Sequence, residues 1–447
     1  MSPQQFLSRA GKRSSETRAV RRISMAAVVF VVASVGIVGG ARAAESGWTV
    51  AQIGDPGFGA MAVNPAGVVA GFVGVAPNYQ AAVWRDGTTT LLDTPESTVG
   101  SLAVGINSHG QMTGFVDVQT EDGRRQEAVF WDSDGALTQL GLLPEGGFST
   151  GQDINDDGDV VGVASAGGMH GFIWDGDGPI EALPTPSGMT NAYAVAINNL
   201  GQIVGSASAG YAPGRAVMWE LGDPTVLDSL AEGASSSATD INDVGQIVGT
   251  SAAGPPVEPG YPPPLPHAVF WDDGEIIDLG SLGGFVATAQ AINNSGQVVG
   301  LMTDEAFLFQ AFVWENDVLT TLPPLTGESE AAAFDINGNG QAVGWSRVPG
   351  AATTAVMWAG EKSASQMVTD LIALVDSYTL DKRLGTSLHD KLITVQRMLT
   401  NAKPKQACEN LDSFLSQVKA QQGKGLTVEQ AKALTEGAQA IKDVIDC

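Results

Sequence analysis

Ala289-Gln290-Ala291-Ile292-Asn293-Asn294-Ser295-Gly296-Gln297-Val298-Val299-Gly300-Leu301, followed by Gln310-Ala311-Phe312-Val313-Trp314, encodes three short strands and one tight turn. The first five residues make a short apolar strand ending at Asn293. Asn294-Ser295-Gly296 is a turn, because Gly296 is free to take positive φ. Gln297 to Leu301 returns as the second strand of a tight hairpin. A loop of variable length leads to a third strand ending at Trp314. The polar turn Glu315-Asn316-Asp317 then opens a fourth strand, Val318 to Leu322.

The same phrase recurs from Asn64, Asn107, Asn155, Asn198, Asn242, Asn293 and Asn337, at spacings of 43, 48, 43, 44, 51 and 44. Each copy has its own tryptophan: Trp84, Trp131, Trp174, Trp219, Trp271, Trp314 and Trp358. Short strands repeating at this period predict a propeller, each copy forming one blade. The third strand is apolar on both faces in every copy, as in Ala128-Val129-Phe130-Trp131 and Ala355-Val356-Met357-Trp358. A sheet with one wet face would alternate instead, so each blade is expected to be covered on both sides. The tryptophans, each bringing about 150–250 Å² of area, then serve packing rather than ligand binding. The last copy ends after its third strand, while Trp48 to Ile53 resembles a fourth strand that no first three precede. The expected fold class is therefore mainly β: a seven-bladed β-propeller closed by its N-terminal strand, followed by a small α-helical bundle. Closure of this kind removes open strand edges.

The repeat phrase, with His267-Ala268-Val269-Phe270-Trp271 as its third strand, resembles the HAF-repeat proteins of bacteria over Trp48 to Trp358. The resemblance implies an exported protein and names no defined role. The family's histidine is kept at His170 and His267 and replaced by Gln80, Glu127, Arg215, Gln310 and Thr354.

The ends fix the compartment expected. Residues 1–24 are basic, an apolar run extends from Met25 to about Gly40, and Ala41-Arg42-Ala43 follows. That order makes residues 1–43 a secretory signal peptide. The apolar run is shorter than the roughly 20 residues a spanning helix needs. Domains are expected at 44–360 for the propeller and 361–447 for the helices. Between Ala44 and Gly360 there are five arginines, no lysine and 37 acidic residues. Such a surface repels phosphate, which excludes nucleic acid and disfavours anionic membranes. The plainest reading of the charge is a solvated acidic surface; cationic partners and divalent metals remain open.

From about Ser363 the apolar period becomes helical. Val368 to Val375, Leu388 to Leu399, Ala407 to Val418 and Ala431 to Ile445 mark four helices, the last opened by the capping box Thr427-Val428-Glu429-Gln430. Cys408 and Cys447 are the only cysteines, and in an exported chain they are expected to form one disulfide. This segment resembles the FIMAH domain, on Leu371 to Val375, Ser387 to Leu392, Ala407-Cys408 through Phe414, and Gly423 to Leu426. The resemblance implies an accessory or attachment role.

Candidate chemistry is sparse. Asp153-Ile154-Asn155-Asp156-Asp157-Gly158 resembles the start of a calcium loop, which makes Asp153, Asn155 and Asp157 the candidate metal ligands and calcium the one cofactor to consider. No glutamate stands at the twelfth position, and other copies form the turn without those acids. Gly147-Phe148-Ser149-Thr150-Gly151 matches the esterase elbow in sequence, but that motif needs a strand-to-helix turn. The four histidines fall at unrelated phases of the repeat. Ligands of propellers usually sit on the face that carries the second-to-third and fourth-to-first loops. Tyr79, Tyr211, Tyr261, Asp304 and Glu305 fall there, with Phe307, Phe309 and the proline-rich insertion from Gly254 to Pro266. The function expected is a secreted binding or scaffold protein that recognises an extracellular glycan, peptide or protein through this face. The alternative is an extracellular enzyme acting on glycan or peptide at the same place, which would need acids and bases clustered there.

Overall fold

The computed structural model describes residues 47–447 apart from 76–77, 122, 211, 255–263, 282–284, 361–363, 401–402 and 446. The leader, Tyr211, Tyr261 and most of the proline-rich insertion thus lie outside the described residues. The chain divides into two compact units, Met1–Ala359 and Gly360–Cys447.

Among the described residues the first unit holds seven four-stranded sheets. Blade 1 is typical: Phe58–Val63, Val69–Val73, Gln80–Arg85 and Thr88–Leu91 lie side by side in chain order, joined antiparallel. Blades 2 to 6 repeat this order. In blade 7 the strands Glu330–Ile336, Gln341–Arg347 and Thr354–Gly360 are completed by Trp48–Gln52, which lies beside Thr354–Gly360. Ile53 N–H donates to the Ala355 carbonyl at 3.0 Å and fixes the closure.

Each blade buries the apolar third strand the sequence predicts. Trp131, Trp174, Trp219, Trp271 and Trp358 are buried, whereas Trp84 and Trp314 are half-buried. The tryptophans also join blades. The indole N–H of Trp131 donates to the Asp93 carbonyl, that of Trp219 to Pro184, that of Trp271 to Asp228 and that of Trp358 to Pro323. Each acceptor lies where the preceding blade hands the chain on, so the indole's polar edge is satisfied while its body fills the gap between sheets.

The innermost strand carries a β-bulge in all seven blades, as between Gly151 and Asp153 or Ala238 and Asp240. Opposite it stands a glycine of the second strand, for instance Gly71, Gly205 or Gly344. A Cβ at any of these three would overlap the carbonyl oxygen of Gly59, Tyr193 or Ala332 respectively. The bulge brings that carbonyl close, and only glycine leaves room for it.

The second unit holds four helices among the described residues: α1 (Ala364–Ser377), α2 (Lys382–Thr400), α3 (Pro404–Gln421) and α4 (Val428–Val444). Their inward positions, including Leu371, Leu388, Leu392, Leu411, Phe414 and Leu434, make one apolar core. The capping box forms in full: Thr427 accepts from Gln430 N–H, and the Gln430 side chain accepts from Thr427 N–H. Cys408 and Cys447 are joined as a disulfide, with Cα atoms 6.0 Å apart. Among the described residues no helix is long and apolar enough to cross a membrane.

Candidate functional site

Two ends of the propeller differ in construction. The Asn-x-x-Gly turns gather at one end of the axial channel and form a closed hydrogen-bonded ring. Asn64 Nδ2 donates to the Asn107 carbonyl, Asn107 to Asn155, Asn155 to Asn198, Asn198 to Asn242, Asn242 to Asn293, Asn293 to Asn337, and Asn337 back to Asn64. Each Oδ1 accepts two backbone N–H groups of its own turn, as Asn293 does from Ser295 and Gln297. The repeated asparagine is therefore a blade-to-blade clasp.

Inside this ring runs a channel of about 620 Å³ lined by the bulged strands. Five aspartates line it: Asp156 and Asp243 in the turns, and Asp153, Asp240 and Asp335 on the bulged strands of blades 3, 5 and 7. The last three are buried between blades. Each accepts two N–H groups, one from the next residue and one from the next blade. Asp153 takes Ile154 and Ile197, Asp240 takes Ile241 and Ile292, and Asp335 takes Ile336 and Val63. The blades that receive these clasps carry Ala196, Ala291 and Ala62 at the same position. A carboxylate has two oxygens and so serves two blades. Seven is odd, so one blade is left over; this is blade 2, where Gly105 stands and a Cβ would press on Asp153. Burial pushes Asp153 up to about 7 and Asp335 up to about 6. Burial, reinforced by the charge of Asp153, raises Asp240 well above its ordinary range.

Among the residues expected to hold calcium, Asp153 and Asn155 already have backbone partners. Asp153 faces the channel with both oxygens committed to backbone, and Asn155 Oδ1 is committed to the N–H groups of Asp157 and Asp159. Asp153 thus lines the channel, while Asn155 shapes the turn that holds Asp157. Among the described residues no group of three or more His, Cys, Asp or Glu could hold a metal ion. Ser149, the serine of the elbow-like motif, sits in an extended strand. It accepts from Ala128 N–H and donates to the Gly141 carbonyl, a bridge between blades.

The opposite end carries the variable loops. Tyr79 is there, half-buried with its ring edge against Phe72 at 5.1 Å. Asp304 shapes its own loop: Oδ1 accepts from Ala306 and Leu308 N–H, and Oδ2 accepts from Gln310 Nε2 at 3.5 Å. Glu305 is exposed at the tip. Sequence reasoning undervalued the aromatic groups beside them. Phe307 stacks on Phe285 with ring centroids 4.7 Å apart and planes 8° from parallel, and the two are 67% and 42% exposed. On the adjoining edge, Phe309 meets Trp345 edge-on at 6.0 Å. The Arg347 guanidinium lies 4.8 Å from the Trp345 ring centre and 5.8 Å from that of Phe309. Arg347 Nε donates to Glu330 at 2.8 Å, and this hydrogen bond holds the buried Glu330 carboxyl below its usual range.

The fold and this loop face define a seven-bladed propeller with a C-terminal helical domain. Residues 364–443, within the helical unit, match the model of the FIMAH domain. No curated protein matches the chain. Among solved structures, YCF48 bound to D1 peptide is 12% identical over 70% of this chain and 96% of that chain, with a TM-score of 0.41. The acylaminoacyl peptidase of Pyrococcus horikoshii is 14% identical over 68% of this chain, with a TM-score of 0.48, and this chain spans 51% of its length. TolB from Acinetobacter baumannii is 12% identical over 66% of this chain and 80% of that chain, with a TM-score of 0.36. At these values no ligand or activity carries over.

Proposed function

We propose that this is a secreted bacterial binding protein whose propeller recognises an extracellular ligand on the loop face of blades 6 and 7, with the FIMAH domain as an accessory module. The observation that carries the reading is the stacked, exposed Phe285–Phe307 pair beside the Phe309–Trp345–Arg347 group. Folding alone gives no reason to hold two large apolar rings in solvent, and exposed aromatic clusters mark interaction sites. The resemblance of the repeat to HAF-repeat proteins, the basic and apolar leader, and a disulfide all support an extracellular setting.

A thermal-shift screen of the purified chain against peptides and oligosaccharides tests this reading, with hydrogen exchange on each hit. Protection at residues 304–309 and 345–347 is expected. Protection confined to the Asn-x-x-Gly turns or to the helical unit would overturn it.

A further inference from the structure

Nine turns among the described residues share one hydrogen-bond pattern. The side chain of an Asn or Asp accepts from the N–H groups two and four residues on, and its backbone carbonyl accepts from the third. The third residue takes positive φ. In eight of these turns it is glycine: Gly67, Gly110, Gly135, Gly158, Gly201, Gly245, Gly296 and Gly340. In the turn opened by Asp304 it is Phe307, at φ 61°. A bulky side chain in this conformation is strained, and such strain concentrates where function requires it. Here it holds an aromatic ring outward on the loop face, stacked on Phe285.

The neighbouring constellation indicates what such a ring meets. At Trp345 and Phe309 the fold places two aromatic rings and a carboxylate, Glu330, around a guanidinium from its own chain. At Phe285 and Phe307 there are again two rings, with the carboxylates of Asp304 and Glu305 on the same loop. Among the described residues no cation is paired with either acid. The propeller has little to offer: of its five arginines, Arg124 and Arg125 are paired in blade 2, Arg347 is paired with Glu330, and Arg85 and Arg215 belong to blades 1 and 4.

Given the loop face as the ligand face, we infer that the Phe285–Phe307 platform takes the cationic side chain of a basic peptide. The lysine or arginine head would lie against the open face of Phe307 with Asp304 and Glu305 beside it. Attraction between a cation and a ring face, reinforced by carboxylates, gives such a site both affinity and salt dependence.

Calorimetric titration of the full purified chain with a blocked Lys-Gly-Lys-Gly-Lys peptide tests the inference. The same peptide with acetylated lysines and a neutral oligosaccharide are the comparisons. The lysine peptide should bind, weaken with added salt and lose affinity on acetylation. Phe307→Gly should weaken it about tenfold, in line with a partly desolvated cation–π contact, without lowering the melting temperature. Glu305→Gln should weaken it less. Failure of the lysine peptide to bind, equal binding of its acetylated form, or binding indifferent to Phe307→Gly would each overturn the inference. A neutral oligosaccharide that binds in a Phe307-dependent way would overturn the cationic class while leaving the loop face as the ligand face. Hydrogen-exchange protection only on the turn face would remove both.

Discussion

The two ends of the propeller are built from the same turn and put to opposite uses. At the turn end, seven copies of Asn-x-x-Gly are locked into a ring by side chain to carbonyl bonds, and three aspartates add a second set of clasps. At the loop end the same hydrogen-bonded turn appears once among the described residues, opened by Asp304, with phenylalanine in place of glycine. Where the repeat is kept, its residues hold blades together. Where it is broken, a side chain is put on display at a cost in stability. Repetition in this chain reports architecture, and the departure at Phe307 marks the site proposed above to bind ligand.

The largest break in the comparison comes from the closing blade. Trp358 is fully buried and its indole N–H ties blade 7 to Pro323. Trp358→Ala should lose about 3–5 kcal/mol, the range for truncating a buried tryptophan, read by denaturant unfolding. A loss comparable to that of a surface substitution would mean the blades are not joined this way.

Next is the clasp. Asp240→Ala leaves the N–H groups of Ile241 and Ile292 without their side-chain acceptor, at about 1–3 kcal/mol each when no water replaces it. The loss should be larger at pH 5 than at pH 8, where the removed carboxylate would have repelled Asp153. An equal loss at both would deny the coupling.

The same groups set a pH dependence. Asp153 and Asp335 titrate near 7 and 6 in the folded protein, against an ordinary value of 3.8. The folded state therefore keeps protons that the unfolded chain has released. This contribution is fully present below about pH 4 and is lost as pH rises through 7. The melting temperature should be higher at pH 5 than at pH 8, and replacing Asp153 and Asp335 by Ala should flatten the difference.

Much of the architecture was legible in the sequence because the repeat is long and its period is fixed. Seven tryptophans at one register, a lone leading strand and helical spacing after Ser363 were enough to expect the propeller, its closing strand and the helical domain. What each repeated residue touches was less accessible. Asn64 and Asn107 meet only because blades adjoin, a contact between residues 43 apart that local turn chemistry does not reveal. The bulge before Asp153 interrupts the strand alternation, and nothing in the local sequence shows that this acid lines the channel and clasps the next blade. Its pairing with Ala196 and the gap at Gly105 follow from the odd number of blades. On the loop face, position alone groups Asp304, Glu305, Phe307 and Phe309, and Phe307 is the informative residue among them. Its signal was present: an Asp with an aromatic three residues on, where every repeat turn has glycine.

The smallest expected effect is at Phe307. If Phe307 is held in a strained conformation for display, replacing it with the residue its turn favours should relieve that strain. Phe307→Gly should raise the free energy of unfolding by up to about 1 kcal/mol, the left-handed penalty of roughly 1–2 kcal/mol less the lost ring stacking. The check is denaturant unfolding of the two chains side by side. A stability equal to or above that of the native chain is the expected result. A loss of about 3 kcal/mol, as for a packed core phenylalanine, would contradict the account.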